Sequence, residues 1–383
     1  MKRLSVNLRQ RALYAAPPEA RLLLASIRGE RILASSAAAL NAAQGAQMLE
    51  FAERHGITPL LCRALPAEAA SLPALAPLYE RYGRGVHEAL LLAGTMVQLG
   101  KLLEAAGIPT IPFKGPALAA YAYGDLALRP AGDLDLLIRQ CDFARARELM
   151  LAQGFEPALQ LSAQEEQRYL DEHNDFAFVH PGNKLVVELQ WRVMQTPFAF
   201  PPDVDAWWAR LGSAELAHHS VRAFTPEDLL LILCVHGGKH AWERLLWISD
   251  IAALLRTQPQ LNWARVFGLA RSYQSTRMVL IGLLLAHQLC GAPMPEVVVA
   301  EAELDAGAVR LAADVARSLF RPIAPDAMLD EKPFFYLWAR ESWRERLHIV
   351  WTCFPSLRNP YKLISHYVIG NPRLHRLGRR RLS

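Results

Sequence analysis

The sequence predicts an α+β protein, a small mixed-sheet core flanked by N-terminal and C-terminal helical domains. Three observations predict it. Apolar residues recur at three- and four-residue spacing up to about residue 104 and again from Thr225 onward, the period of helices with one buried face. Short apolar and alternating stretches, the signature of strands, occur only between about 108 and 200. Glycine and proline punctuate the change from one texture to the other.

In chain order, Ala- and Leu-rich text at 19–53 and 85–106 reads as helix, with shorter pieces set off by Pro59, Pro66, Pro73 and Pro77. Leu91, Leu92, Met96, Leu99, Leu102 and Leu103 form one helical stripe, which Gly107 stops. Ile108–Phe113 reads as a strand, Lys114–Gly115 as a turn, and Pro116 as the opening of an Ala/Tyr-rich helix. A loop at Arg129–Gly132 leads into a strand at Asp133–Arg139 and a helix from about Phe143 to Gln153, ended by Gly154. Phe176–His180 and Leu185–Arg192, joined through Pro181–Gly182–Asn183, read as a hairpin. Thr225, Pro226 and Asp228 combine a cap, a first-turn proline and an acid near the positive helix end. The expected division is a helical region over 1–104, an α/β core over 105–212, a helical domain over 213–370 and a basic tail over 371–383.

The composition, 52% apolar and 21% charged over 383 residues, is that of a folded chain and excludes disorder. A net charge of +5 suits anionic ligands but does not establish nucleic-acid binding. Part of the excess is Arg373, Arg376, Arg379, Arg380 and Arg381, a tail better read as solvated than as a nucleic-acid or membrane contact. The five cysteines are widely spaced, odd in number and without a C-x-x-C pair, so they read as reduced and the protein as cytoplasmic. The opening residues lack the apolar core of a signal peptide, and the longest apolar runs, Met278–Ala286 and Leu229–Val235, fall short of the roughly 20 residues that cross a bilayer. No G-x-S-x-G, P-loop or G-x-G-x-x-G motif occurs.

The chemistry concentrates in acids on strands. Alternation places Leu134, Leu136 and Ile138 on one face of their strand and Asp133 and Asp135 on the other, with α-carbons about 7 Å apart. Such a pair repels, and a divalent cation between the two relieves it; Mg²⁺ favours few carboxylates together with phosphate and water oxygens. An isolated D-x-D is more often a surface strand end. A second acid changes the balance: Glu188 opposes the apolar face formed by Leu185, Val187, Leu189 and Trp191, so it needs a partner or a reason to be there. At Lys114–Gly115–Pro116, glycine permits close approach of a ligand to the backbone and lysine supplies charge for a polyphosphate. His236 and His240 share a helix face, but no third ligand accompanies them, which argues against a zinc site; packing and ligand contact both remain open there. His173 and Asp175 read as turn or surface residues that could flank the acids.

In this order the pieces resemble the polymerase-β nucleotidyltransferase superfamily. More closely, they resemble a bacterial family of largely uncharacterised nucleotidyltransferases, through IPFKGPALAAYAYGDLALRPAGDLDLLI, VVELQWRV and FTPEDLLLILCVHGGKHAWERLLWISDIAALL within about 105–255. The resemblance implies that Asp133 and Asp135 are the metal-binding D-x-D and Glu188 the third carboxylate. It implies that Gly115, with Lys114, faces the triphosphate, that Arg129 touches phosphate, and that the segment holding His236, Lys239 and His240 reaches the site across a domain boundary. It also implies Mg²⁺ (or Mn²⁺) as cofactor, an NTP, ATP first, as donor, and in-line displacement at the α-phosphorus. The acceptor, whether small molecule, sugar, protein or RNA, is not legible. Two departures stand out: proline follows the Lys-Gly pair, leaving no hydroxyl for phosphate, and Gln190 stands where the family often has histidine. The alternative implied is a catalytically silent nucleotidyltransferase-fold binding or regulatory protein.

Overall fold

The computed structural model describes residues 18–193, 204–320 and 332–341, together with positions 343 and 346. The basic tail and Cys353 lie outside the described residues.

Among the described residues five helices come first: α1 (Pro18–Ile27), α2 (Ala34–Ala38), α3 (Ala42–His55), α4 (Thr58–Ala64) and the long α5 (Ala76–Ala105). Next come β1 (Ile111–Pro112), α6 (Gly115–Leu118), β2 (Asp133–Leu137), α7 (Phe143–Ala152), β3 (Glu156–Pro157), α8 (Ala163–Glu172), β4 (Asp175–Val179) and β5 (Val186–Gln190). After α9 (Val204–Ala209) a hairpin follows, β6 (Gly212–Leu216) and β7 (His219–Ala223). The rest is helical: α10 (Pro226–Lys239), α11 (Leu245–Thr257), α12 (Trp263–Ser272), α13 (Thr276–Cys290), α14 (Glu296–Leu304), α15 (Ala306–Ser318) and α16 (Lys332–Ala339). The α+β class with helical flanks is as expected.

The main sheet has the order β1-β2-β5-β4-β3. Only the β2–β5 pair is parallel, with Asp135 opposite Glu188 and Leu136 opposite Leu189. The β4–β5 hairpin sets Ala177 opposite Glu188 and Asp175 opposite Gln190. Alternation therefore sorts the sheet into two faces. Leu134, Leu136, Phe176, Phe178, Val187 and Leu189 share a core with the C-terminal half of α5 and with α7. The other face carries Asp133, Asp135, Asp175, Glu188 and Gln190.

One expectation is corrected. Strands do not end near 200: β6 and β7 pair over 212–223, and Leu216 and Val221 pack onto the sheet's core. Their sequence hides this because the strands are mostly solvent-facing and so lack strong alternation. Their turn residues Ala217 and His218 take φ of 47° and 63° without the usual Asn or Gly. The N- and C-terminal helices pack into a shared core. Leu23, Leu24 and Met48 share one apolar cluster with Leu230, Leu280 and Leu284. Arg28 Nε donates to the Leu289 carbonyl at 2.9 Å and Arg54 Nη2 to the Leu319 carbonyl at 2.8 Å. Leu245 N–H donates to His55 Nδ1 at 3.3 Å, which requires a neutral imidazole. Burial, reinforced by Arg54, lowers the His55 pKa to about 3 and keeps it neutral.

Cys62, Cys234 and Cys290 are buried free thiols and Cys141 is an exposed one. Among the described residues, no helix is long and apolar enough to cross a membrane.

The paired glycines of α10 have a packing reason. The Trp242 indole lies so close to Gly237 that a β-carbon there would sit 2.2 Å from its Cζ3, and one at Gly282 of α13 would sit 2.8 Å from Cη2. Alanine normally stabilises a helix interior relative to glycine by about 1 kcal/mol. Here the sign reverses: Gly237→Ala should destabilise the protein by about 1–3 kcal/mol through overpacking. Urea unfolding of wild type and variant checks this.

Candidate functional site

The polar face of the sheet is the candidate site, because parallel pairing brings two distant acids side by side. Asp135 is 3% exposed, and Glu188 lies in register with it on the neighbouring strand. Gln190 Nε2 bridges them, donating to Asp135 Oδ1 at 2.5 Å and to Glu188 Oε2 at 3.0 Å. Asp133 lies two residues earlier on the same face, and its charge is felt at Glu188. The three predicted carboxylates are thus electrostatic neighbours.

Their ionisation reflects the crowding. Burial raises the Glu188 pKa to about 8, with Asp135, Asp175 and Asp133 adding to the shift and Lys114 opposing it. Asp133 is raised by burial and by Asp135, against Lys114 and Arg129. Lys114 Nζ donates to Asp135 Oδ1 at 2.7 Å. Burial alone would lower its pKa, but Asp135, Glu188 and Asp133 raise it, so the ammonium is the cluster's counter-ion.

Gly115 is required in two ways. Its φ is +51°, and a β-carbon there would lie 3.3 Å from the Asp133 carbonyl oxygen. It therefore seats the turn directly against the D-x-D strand. The helix it opens is shorter than expected: α6 runs four residues and passes into a π-helical turn at Ala119–Tyr123. A helix dipole consequently adds little to anion binding at this turn.

Arg129 is 7% exposed and is held by Asp250 of α11, with Nε to Oδ1 at 2.9 Å and Nη2 to Oδ2 at 3.0 Å. Tyr123 Oη donates to the same Asp250 Oδ1 at 2.8 Å. Two nitrogens on one edge of this guanidinium are thus committed to a buried contact between the sheet region and the helical body. Its charge still reaches Asp133.

Lys239, at the end of α10, is where the helical body approaches the acids. Its pKa is lowered by burial, with Lys114 adding to that and Asp175, Glu188 and Asp135 opposing it. His236 and His240 are different. Their rings lie 4.8 Å apart, and His240 stacks on Trp247 at 4.7 Å, an aromatic packing unit. Burial, with Lys114, His240, Lys239 and Arg129 nearby, holds His236 well below its usual range and therefore neutral. Asp175 joins the carboxylate face; sequence reasoning read it as a turn or surface residue. The signal was available, since alternation with Phe176 and Phe178 assigns it to the polar side.

Carboxylate oxygens crowded on one face, with the pKa values of Asp133, Asp175 and Glu188 all raised, are a donor set whose chemistry fits Mg²⁺ or Mn²⁺. Among the described residues, though, no group of three or more His, Cys, Asp or Glu is spaced to hold a metal ion as the side chains stand. The cluster is drawn in around Lys114 and Gln190 instead.

Linkage gives a signed prediction for the metal-free protein. Glu188 has a folded pKa near 8 against an ordinary value of 4.5, so the folded state binds the extra proton between these values. Stability conferred by that proton is present below pH 4.5 and lost as pH rises to 8. Glu188→Gln should flatten the fall in Tm between pH 5 and 8 seen in wild type. Parallel Tm–pH curves for the two proteins would contradict it.

No protein of curated function matches the chain in sequence. A crystal structure of an antigenic nucleotidyltransferase-like protein from Paracoccidioides brasiliensis is similar over 54% of this chain and 95% of its own, at 16% identity and a TM-score of 0.32, a likeness too distant to bear on function. The profile of a family described as uncharacterised nucleotidyltransferase matches residues 41–291, from the start of α3 through α13 and across the whole carboxylate face. The chain belongs to that nucleotidyltransferase family.

Proposed function

We propose that the protein is a Mg²⁺-dependent nucleotidyltransferase of polymerase-β type that moves a nucleoside monophosphate from an NTP, ATP first, to an acceptor of a class still to be identified. The observation that carries this is the in-register pairing of Asp135 with Glu188 on parallel strands, with Asp133 on the same face. Family membership supports the same general activity.

In this reading Asp133, Asp135 and Glu188 hold the divalent cation. When bound, the cation would supply charge neutralisation at the phosphates and a lowered pKa for the attacking hydroxyl. The chain's own residues do the rest. Gly115 brings backbone close to the polyphosphate, and Lys114 and Lys239 supply positive charge at the mouth of the carboxylate face. Arg129, fixed by Asp250, holds β2 and the helical body in one arrangement, so its part is positioning. His236, held neutral, and His240 pack with Trp247 beside Lys239. The buried free cysteines support a reducing compartment, and we assign the protein to the cytoplasm on that ground.

The test uses α-phosphate-labelled NTPs with Mg²⁺ and cell extract as acceptor source. Wild type should transfer label and release pyrophosphate, and Asp133→Asn and Asp135→Asn should each lose at least about a hundredfold, the scale of removing one pre-organised electrostatic contact. Circular dichroism should show both variants folded. Asp133→Asn is the cleaner of the two, because Asp135→Asn also strips Lys114 of its partner. Wild-type rates in a folded Asp133→Asn variant would contradict the proposal.

A further inference from the structure

We propose that Lys114 is a resident counter-ion that competes with a divalent cation for the carboxylate cluster, and that the nucleotide's polyphosphate is what draws it away. This rests on the nucleotidyltransferase reading above and adds a nucleotide-gated step to it.

Asp135 Oδ1 accepts from Lys114 Nζ at 2.7 Å and from Gln190 Nε2 at 2.5 Å. A carboxylate oxygen offers about two lone-pair directions, and both are taken. A cation bound through this oxygen has to displace one of the two donors. Gln190 Nε2 is held by two acceptors at once, Asp135 Oδ1 and Glu188 Oε2. Among the described residues, Lys114 hydrogen-bonds the acids through Asp135 alone, and its stem is a flexible four-carbon chain. The lysine is the donor that can move.

Where it would move is set by the backbone. Lys114 is the residue that caps α6, immediately before the Gly115 turn packed against Asp133. One side chain therefore has two anionic destinations, the carboxylates and any phosphate seated at the turn, and a single ammonium to give. The closed arrangement also leaves Gln190 Oε1 buried with no hydrogen-bond partner among the described residues. That is a cost at the same spot, which a rearranged and hydrated site would remove. Without nucleotide, a metal competes with Lys114 and meets its repulsion. With nucleotide, the ammonium follows the phosphates and the carboxylates are released to the metal.

The experiment measures Mn²⁺ binding to nucleotide-free protein by electron paramagnetic resonance of the free ion. Lys114→Met and Lys114→Gln should bind Mn²⁺ at least roughly tenfold more tightly than wild type, as expected when a unit positive charge a few ångströms away is removed. Lys114→Arg, which keeps the charge, should stay weak. Asp135→Asn placed in the Lys114→Met background should abolish the gain. The two neutral variants are chosen so that misfolding of one leaves the other to decide. If both fold and bind Mn²⁺ no better than wild type, while wild type binds it with a non-hydrolysable NTP analogue, this proposal is overturned and the nucleotidyltransferase reading stands. If no protein binds Mn²⁺ with or without the analogue, both fall together.

Discussion

Electrostatic repulsion among acids on one face of a five-stranded sheet is the constraint around which this molecule is arranged. Asp133, Asp135, Glu188 and Asp175 are forced together by strand register, and burial strengthens their mutual repulsion. Such a face is tolerable only with positive charge close by. The chain brings Lys114 from the turn beside β2 and Lys239 from the end of α10, two sources far apart in sequence. The apolar face of the same sheet is conventional, with Leu, Val and Phe packed on α5 and α7. That rigid backing is what allows the opposite face to be expensive, since register cannot slip without turning the apolar set toward solvent.

The helical body serves the sheet in a second way. Asp250, 1% exposed on α11, grips Arg129 through two nitrogens and Tyr123 through its hydroxyl. A buried pair of this kind is weak evidence for stability but a strong determinant of geometry, because either partner left alone would be a bare buried charge. Through it the strand bearing the aspartates and the helix pair bearing Lys239 keep a fixed relation. Trp242 contributes from the other side, filling the space that Gly237 and Gly282 leave between α10 and α13.

Much of this was legible in the sequence where a local rule governs. Period-2 alternation assigned Asp133, Asp135 and Glu188 to faces, and applied to Asp175 it would have assigned that residue too. Gly115 was readable as a turn glycine, and the left-handed φ with a close Asp133 carbonyl supplies the reason. Helix α8 was also readable in principle, since Ser162 and Glu165 form a capping box at its start. What escaped was non-local or unmarked. Arg129 meets Asp250 from 121 residues away, and no spacing rule anticipates that pairing. The 212–223 hairpin lacks both strong alternation and an Asn-Gly turn. The fusion of N- and C-terminal helices into one core depends on tertiary contacts such as Arg28 to Leu289, which helical periodicity does not encode.

The central claim is that acids from two parallel strands converge to hold a divalent ion against a nucleotide. It is tested most directly by a crystal structure of the full chain grown with Mn²⁺ and a non-hydrolysable NTP analogue, recorded at a wavelength where manganese scatters anomalously. The account predicts an anomalous peak within coordination distance, about 2.1 Å for an ion of this class, of oxygens from Asp133, Asp135 and Glu188, with the polyphosphate against Gly115. A nucleotide bound elsewhere, with Lys114 still seated on Asp135 and no peak among the carboxylates, would contradict it.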